Sequence, residues 1–443
     1  MFHVKLGAPA HAGLFHVEQR QLRSLLRCSN VSRHETIRPP SVDLVSRFFV
    51  ISLARYSTLL AEPAYRAAIV ASLLGRLPIG ITGLAILMLV QDTTGSFGSG
   101  GAVAACYVAG LAVIAPLLGR LIDRYGPRTT LLCCAFAFPA TLAALVAALS
   151  APAPLWLACV IAAAVGACFP PITVCMRTFF KQRLKEEALL ATAYSLESVM
   201  IELIFILGPV LVAMFVALAS PAAAVLFAAA CGCVGTLLFQ RSQALRQWRV
   251  EPRGAASLFG PLAEPGFVAL LAVIVCYASA FGLVEIGTTA YATESGSPAL
   301  AGILLGIMSI GSAAGGLVYG SRSWRLPLAR QFPLMLGLMG LGIAPLALLP
   351  WIWTFGLWCV PAGIAMAPAL IMQSMLVARS SRPEHSTEAF TWSSTGLLAG
   401  VGLGLTLGGA VLEYARSPAV FAAAAALSLA AAALALLLVK VKN

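Results

Sequence analysis

Charge is what this chain has little of. Only 10% of its 443 residues are Asp, Glu, Lys or Arg, against about 25% in a typical soluble domain. Asparagine is almost absent, and 60% of the residues are hydrophobic. A water-soluble fold has no way to hide that much apolar surface, so a soluble globular protein is excluded. Histidine is confined to the N-terminal stretch (His3, His11, His16, His34) and to His385. None is placed in an apolar run, where it could ligate a metal or relay a proton. There is no CxxC pair and no Cys/His ligand spacing. Cysteines such as Cys106, Cys168 and Cys276 lie in apolar runs, where a thiol behaves as a small hydrophobe. No glycine-rich loop ending in Lys-Ser/Thr is present, so ATP is not expected as a direct energy source. No nucleophile–base spacing appears either. The expectation is no enzyme activity, no cofactor and no metal.

What the chain does have is length in apolar runs. A helix crossing about 30 Å of hydrocarbon needs roughly 20 apolar residues. Twelve segments qualify: 67–91, 100–118, 129–149, 154–178, 191–217 and 222–240, then 266–291, 297–320, 331–349, 352–378, 387–412 and 417–439. Residues 241–265 are polar and carry Pro and Gly, which predicts a linker between two groups of six. The expected organisation is a basic tail over 1–60, one bundle over 61–240, the linker, and a second bundle over 266–443.

The net charge of +12 would suit nucleic acid, but its distribution follows the positive-inside rule instead. Of the 29 Lys and Arg, all but Arg76 and Arg416 fall in the N-terminal stretch, in alternate loops or at the C-terminus. The loops 92–99, 150–153, 218–221, 292–296 and 350–351 have none. Both termini are therefore expected in the cytoplasm, with the chain spanning a bacterial inner membrane. The partners expected are the lipid bilayer and a small molecule, with no nucleic acid, and the chain acting as a monomer. The halves also repeat at an offset close to 196 residues: Ala193 overlays Ala389, and Gly208 overlays Gly404. Parallel repeats of this kind mark duplicated transporter halves.

The stretch "GRLIDRYGPR" puts a dense charge cluster between the second and third apolar segments. Gly119 and Gly126 are expected to allow a sharp reversal. Asp123 can sit among Arg124, Arg128 and the positive N-terminus of a neighbouring helix. The residues Gly119, Leu121, Asp123, Arg124, Gly126 and Arg128 resemble the G-x-L-x-D-R-x-G-R/K signature of the major facilitator superfamily. Pro127 departs from that pattern. The resemblance covers about residues 60–440 in helix count, loop length and halving. It implies an all-α membrane fold of twelve transmembrane helices in two pseudo-symmetric six-helix bundles. It also implies that Asp123 meets the eleventh helix across the bundle interface, as a latch favouring the outward-open state. The second-half counterpart keeps Gly316, Gly320, Arg322 and Arg325 but lacks the acid.

An ionisable residue inside a spanning helix is a functional candidate by default. Four qualify: Arg76, Glu197, Glu202 and Glu285. Depth counting at 1.5 Å per residue puts Arg76 roughly 14 Å into the first helix, level with Glu202 in the fifth. An Arg76–Glu202 pair is expected, with Glu197 as the alternative partner. Such a pair either holds the bundle together or responds to protons or substrate in the cavity. Glu285 has no basic partner at its depth, which leaves proton coupling, cation binding or a place in the outer vestibule. Glu388 and Asp92 are expected to reach water. Tyr107, Tyr194, Tyr277, Gln373, Thr391, Trp392 and Ser394 are candidates for a mixed aromatic and polar substrate pocket.

Pro170-Pro171, Pro209, Pro361 and Pro368 predict helix kinks. Gly208-Pro209 resembles the core of the helix 5 motif of drug antiporters, although Ile204 and Val212 stand where its flanking glycines belong. The fourth segment lacks the Arg-x-x-Gln-Gly pattern of many proton-coupled members. Secondary transport is the expected function, with proton-coupled efflux placed ahead of metabolite uptake and of a non-transporting sensor.

The tail is unlike the rest. Phe2-His3-Val4-Lys5 is echoed by Phe15-His16-Val17-Glu18, and TTTCACGTGAAA, a self-complementary coding sequence for the first tetrad, is similar to bacterial centromere-like sites. Translation is accordingly expected to start downstream, near Val50 or Leu53.

Overall fold

The computed structural model describes residues 54–151, 154–246, 248–250, 260–297, 300–324 and 326–438. The repeated tetrads and the expected start site lie outside them. Every regular element among the described residues is a helix.

A short helix, α1 (Ala54–Ala61), precedes the first span and lies largely within the expected tail. The first span is two pieces, α2 (Pro63–Arg76) and α3 (Pro78–Thr94). α4 (Phe97–Tyr125) and α5 (Pro127–Leu149) follow. The fourth span is α6 (Leu155–Ala167) and α7 (Ile172–Arg183), divided at Pro170-Pro171. α8 (Glu187–Leu218) and α9 (Pro221–Arg241) complete the first half. After the short α10 (Gln243–Arg246) come α11 (Pro265–Glu294), α12 (Leu300–Gly320) and α13 (Leu328–Ile343). The tenth span is α14 (Ile352–Gly363) and α15 (Met366–Ser380), and α16 (Ser386–Tyr414) and α17 (Ser417–Leu438) close the chain.

Local chemistry sets these ends. Pro63, Pro78, Pro127, Pro221 and Pro265 open helices, where proline's missing N–H costs nothing. The Ser96 and Ser220 hydroxyls cap α4 and α9, each accepting a backbone N–H at 3.2 Å. Pro209 lies inside α8 without interrupting it.

Among the described residues, eleven helical segments are long and apolar enough to cross a membrane. The ninth of the twelve expected segments falls short. Its α-helix stops at Ile343 and continues as a 3-10 turn over Ala344–Ala347. Pro345 has no N–H to extend the α-helical ladder.

α4 packs on α16, and α8 packs on α12 and α15, which joins the two halves. The buried apolar residues form two separate clusters. One runs through the second half and takes in the basic-end part of the first half, including Ile122, Phe179 and Tyr194. The other belongs to the first half alone, at the opposite end, and includes Ile86, Phe138 and Val225. The bundles therefore share a core at the basic end and keep separate cores beyond it.

Candidate functional site

The basic end is closed by two seams. In the first, α4 meets the N-terminus of α16. The Asp123 carboxylate accepts the backbone N–H of Thr387 at 2.9 Å and that of Glu388 at 2.8 Å. A helix start leaves such N–H groups without intrahelical partners, and Asp123 supplies them from another bundle. Gly119 lies inside α4 rather than in a turn. A Cβ there would collide with Thr391 Oγ1 and stand 2.9 Å from Glu388 Cα, so its missing side chain serves close helix approach. The reversal falls to Gly126, at φ +83°.

Arg124 and Arg128 are not bonded to Asp123. Both are exposed; Arg124 stacks over Tyr125 at 5.1 Å, and the Arg128 carbonyl accepts from Gln240 Nε2. The charged partner in this seam is Arg120, which donates to Glu388 Oε1 at 2.6 Å. Glu388 is only 1% exposed, which corrects its expected access to water: α4 and the 3-10 turn Gly260–Ala263 cover it. Lys181 adds a third link, donating to Ser381 Oγ and Ser386 Oγ, each at 2.8 Å.

In the second seam, α8 meets α12. Thr192 Oγ1 donates to the Gly320 carbonyl at 2.6 Å, and Ser195 Oγ to the Gly316 carbonyl at 2.7 Å. The Tyr56 hydroxyl of α1 lies 2.8 Å from Ser195 Oγ and donates to the Leu317 carbonyl at 3.1 Å. Burial pushes the Tyr56 phenol above its ordinary range, so it remains a neutral donor. Further along α8, Glu202 Oε1 accepts from Ser312 Oγ at 2.7 Å.

Between the seams lies a charge cluster that differs from the expected pairing. Arg76 binds Glu197, with Nη2 to Oε1 at 2.7 Å, and does not bind Glu202. Depth counting favours Glu202, but direction selects the alternative, Glu197. Five residues of helix turn through about 140° net, so Glu197 points into the first bundle while Glu202 points at α12. Arg177 approaches the same carboxylate, its Nε 3.9 Å from Glu197 Oε2. Charge distribution alone groups Arg177, at the end of the fourth segment, with the basic loop that follows it. The Pro170-Pro171 break starts a new helix at Ile172 and carries Arg177 inside, where its side chain is 12% exposed.

The remaining candidates scatter. Glu285 is exposed, and no hydrogen bond or ion pair engages its carboxylate among the described residues. It heads a polar stripe with Thr289 and Thr293 along α11. Tyr277 donates to Gln373 Oε1, and Gln373 Nε2 donates to Ser393 Oγ at 2.6 Å. This chain of bonds is buried within the second bundle. Tyr107 is packed in the separate core of the first bundle. Trp392 is half-buried with no partner for Nε1. Tyr194 donates to the Arg177 carbonyl and packs edge-on against Phe390 of α16. Among the described residues, no three His, Cys, Asp or Glu side chains converge as a metal site.

Two helical bundles of apolar spans, sharing a core at one end and joined there by polar seams, define a membrane transporter fold. The chain belongs to the Major Facilitator Superfamily, whose family model matches residues 68–362 and 269–443. Among solved structures it is similar to the human organic anion transporter MFSD10 (TETRAN), with 17% identity, TM-score 0.62, 90% of this chain and 100% of that chain covered. It is also similar to a bacterial homologue of the iron transporter ferroportin in an outward-facing state, with 14% identity, TM-score 0.68 and 84% and 98% covered. The same homologue with soaked iron gives 15% identity and TM-score 0.66 over 84% and 98%. Among curated proteins none matches.

Proposed function

We propose that this chain is a secondary active transporter that exports a small molecule from the cytoplasm by alternating access, driven by protons. In this reading it is a monomer in a bacterial inner membrane. The basic end and both termini face the cytoplasm, and residues 241–265 link the bundles 61–240 and 266–443.

The observation that carries the reading is the uneven joining of the bundles. They share one core at the basic end and hold separate cores beyond it. The seams at the shared end are mostly hydrogen bonds, which can break and re-form as the bundles rock. Asp123 at the start of α16 is the latch of the closed basic end. Glu202 supports proton coupling. It is a carboxylate within a spanning helix, it accepts from the Ser312 hydroxyl of the other bundle, and among the described residues no ion pair holds it. A proton arriving at Glu202 converts an acceptor into a donor at the bundle interface. The Gly208-Pro209 pair, similar to the helix 5 core of drug antiporters, supports the outward direction.

The test is growth of an efflux-deficient bacterial host across antibiotics, dyes and toxic sugar analogues. Export is expected to raise resistance to at least one compound, and Asp123→Asn or Glu202→Gln at equal abundance should remove it. Heightened sensitivity would replace export with uptake. Resistance that survives Glu202→Gln would exclude that carboxylate from coupling.

A further inference from the structure

We infer that the transported molecule carries an anionic group, such as a carboxylate, and that Arg76 and Arg177 receive it beside Glu197. This deepens the transporter reading above and rests on it.

The charges of the cluster do not balance. Two guanidinium groups flank one carboxylate, which leaves a net charge of +1. Arg76 is 1% exposed. Of its nitrogens, only Nη2 is bonded, while Nε and Nη1 are buried without a partner. Arg177 Nε makes no hydrogen bond among the described residues either, Glu197 Oε2 standing 3.9 Å away. The acceptor left over in the cluster is Glu197 Oε2. Three buried donor nitrogens thus stand against one acceptor oxygen. Buried polar groups are nearly always hydrogen-bonded, so an exception needs an explanation, and an unpaired buried cation is more costly still. The missing complement is a negative group with at least two acceptor oxygens. A carboxylate meets that description and matches the fork of a guanidinium.

A second observation places the cluster at a substrate level. The α-helix of the first span is interrupted for the single residue Leu77, directly after Arg76 and itself in helical conformation ahead of Pro78, and the fourth span is broken over Cys168–Pro171, its helix resuming five residues before Arg177. The breaks touch each other, because a Cβ on Gly75 would collide with Ile172, the first residue of α7. A helix broken inside the membrane, as the fourth span is, is where transporters of several folds hold their cargo. The cluster also adjoins the bundle interface. Tyr194 bonds the Arg177 carbonyl and packs on Phe390 of α16, with ring centroids 6.2 Å apart. Rocking of the bundles would uncover Arg177 first.

The experiment is equilibrium binding, independent of any gradient, on the full-length protein in lipid nanodiscs. Thermal unfolding is followed with benzoate, its neutral analogue benzamide, and chloride at matched ionic strength. Benzoate should raise the Tm in a dose-dependent way, while benzamide and chloride leave it unchanged. Arg177→Gln should weaken benzoate by about tenfold, the scale of one charge-assisted contact, and Arg177→Lys should restore part of that loss. Glu197→Gln removes the competing anion and should tighten benzoate. Equal shifts from benzoate and benzamide, or a benzoate shift unaltered in Arg177→Gln, would overturn the assignment. So would an equal chloride shift, which would mark an inorganic counter-ion site, or no shift at all, which would leave water as the occupant. Loss of proton-driven export with benzoate binding intact would strike the transport reading alone.

Discussion

Asp123 and Glu388 are 265 residues apart in the chain, yet the carboxylate of one accepts the backbone N–H of the other at 2.8 Å. The same carboxylate takes the Thr387 N–H, so one side chain of α4 caps α16. Asn in its place keeps one acceptor and loses the charge that favours a helix N-terminus. Losing such a cap costs about 1 kcal/mol, or about fivefold in the ratio of closed to open basic ends. Spin labels on Thr129→Cys and Ser323→Cys, in a cysteine-free background, should show the longer distance gaining population in Asp123→Asn. An unchanged distribution would remove the latch.

Gly119→Ala tests the same seam by sterics. The added methyl meets the Thr391 side chain, which can rotate, and Glu388 Cα, which cannot. Overpacking of this kind costs about 1–3 kcal/mol, so the closed population should fall at least as far as in Asp123→Asn. Adding Thr391→Ala should recover part of the loss. Full recovery would show that backbone approach is not limiting.

Glu197 serves two cations and Arg76 serves one anion, so their removal should differ. Glu197→Gln leaves Arg76 and Arg177 facing each other without a counter-charge. Arg76→Gln leaves Glu197 with Arg177. Breaking a buried pair costs about 3–5 kcal/mol. The lower thermal unfolding temperature should belong to Glu197→Gln, with Arg76→Gln between it and the unmodified protein. The reverse order would show that Arg177 does not share the carboxylate.

Most of the spans and the charged motif around Asp123 were legible in the sequence because both rest on local signals, whereas the meeting of Asp123 with the eleventh span was implied only by the family resemblance. Apolar runs need only a length count, and the Asp123 motif is contiguous. Pairing inside the membrane was not legible. Depth favoured Glu202 over Glu197 as the partner of Arg76, and the direction each takes around α8 decides for Glu197. Arg177 was hidden for a related reason. Read from charge alone it belonged to a basic loop, whereas the two prolines before it restart the helix and turn it inward. Gly119 was assigned to a turn, because a glycine needed for helix contact looks the same in sequence as one needed for a bend.

Tyr56 was overlooked because α1 lies within what composition marks as tail. Its hydroxyl bridges Ser195 of α8 and the Leu317 carbonyl of α12, tying both bundles to one short helix. Phe at this position would remove the bridge and little else. Ser195 keeps its bond to the Gly316 carbonyl, and the Leu317 carbonyl keeps the Ser321 N–H. One hydrogen bond contributes about 0.5–1.5 kcal/mol, so Tyr56→Phe should lower the closed population by about two- to tenfold while leaving unfolding temperature nearly unchanged. The two seams are built from different residues, and distant sites add in free energy. Combined with Asp123→Asn, the shift should therefore equal the sum of the single shifts. A Tyr56→Phe protein with the original distance distribution would show that α1 rests on the seam without holding it.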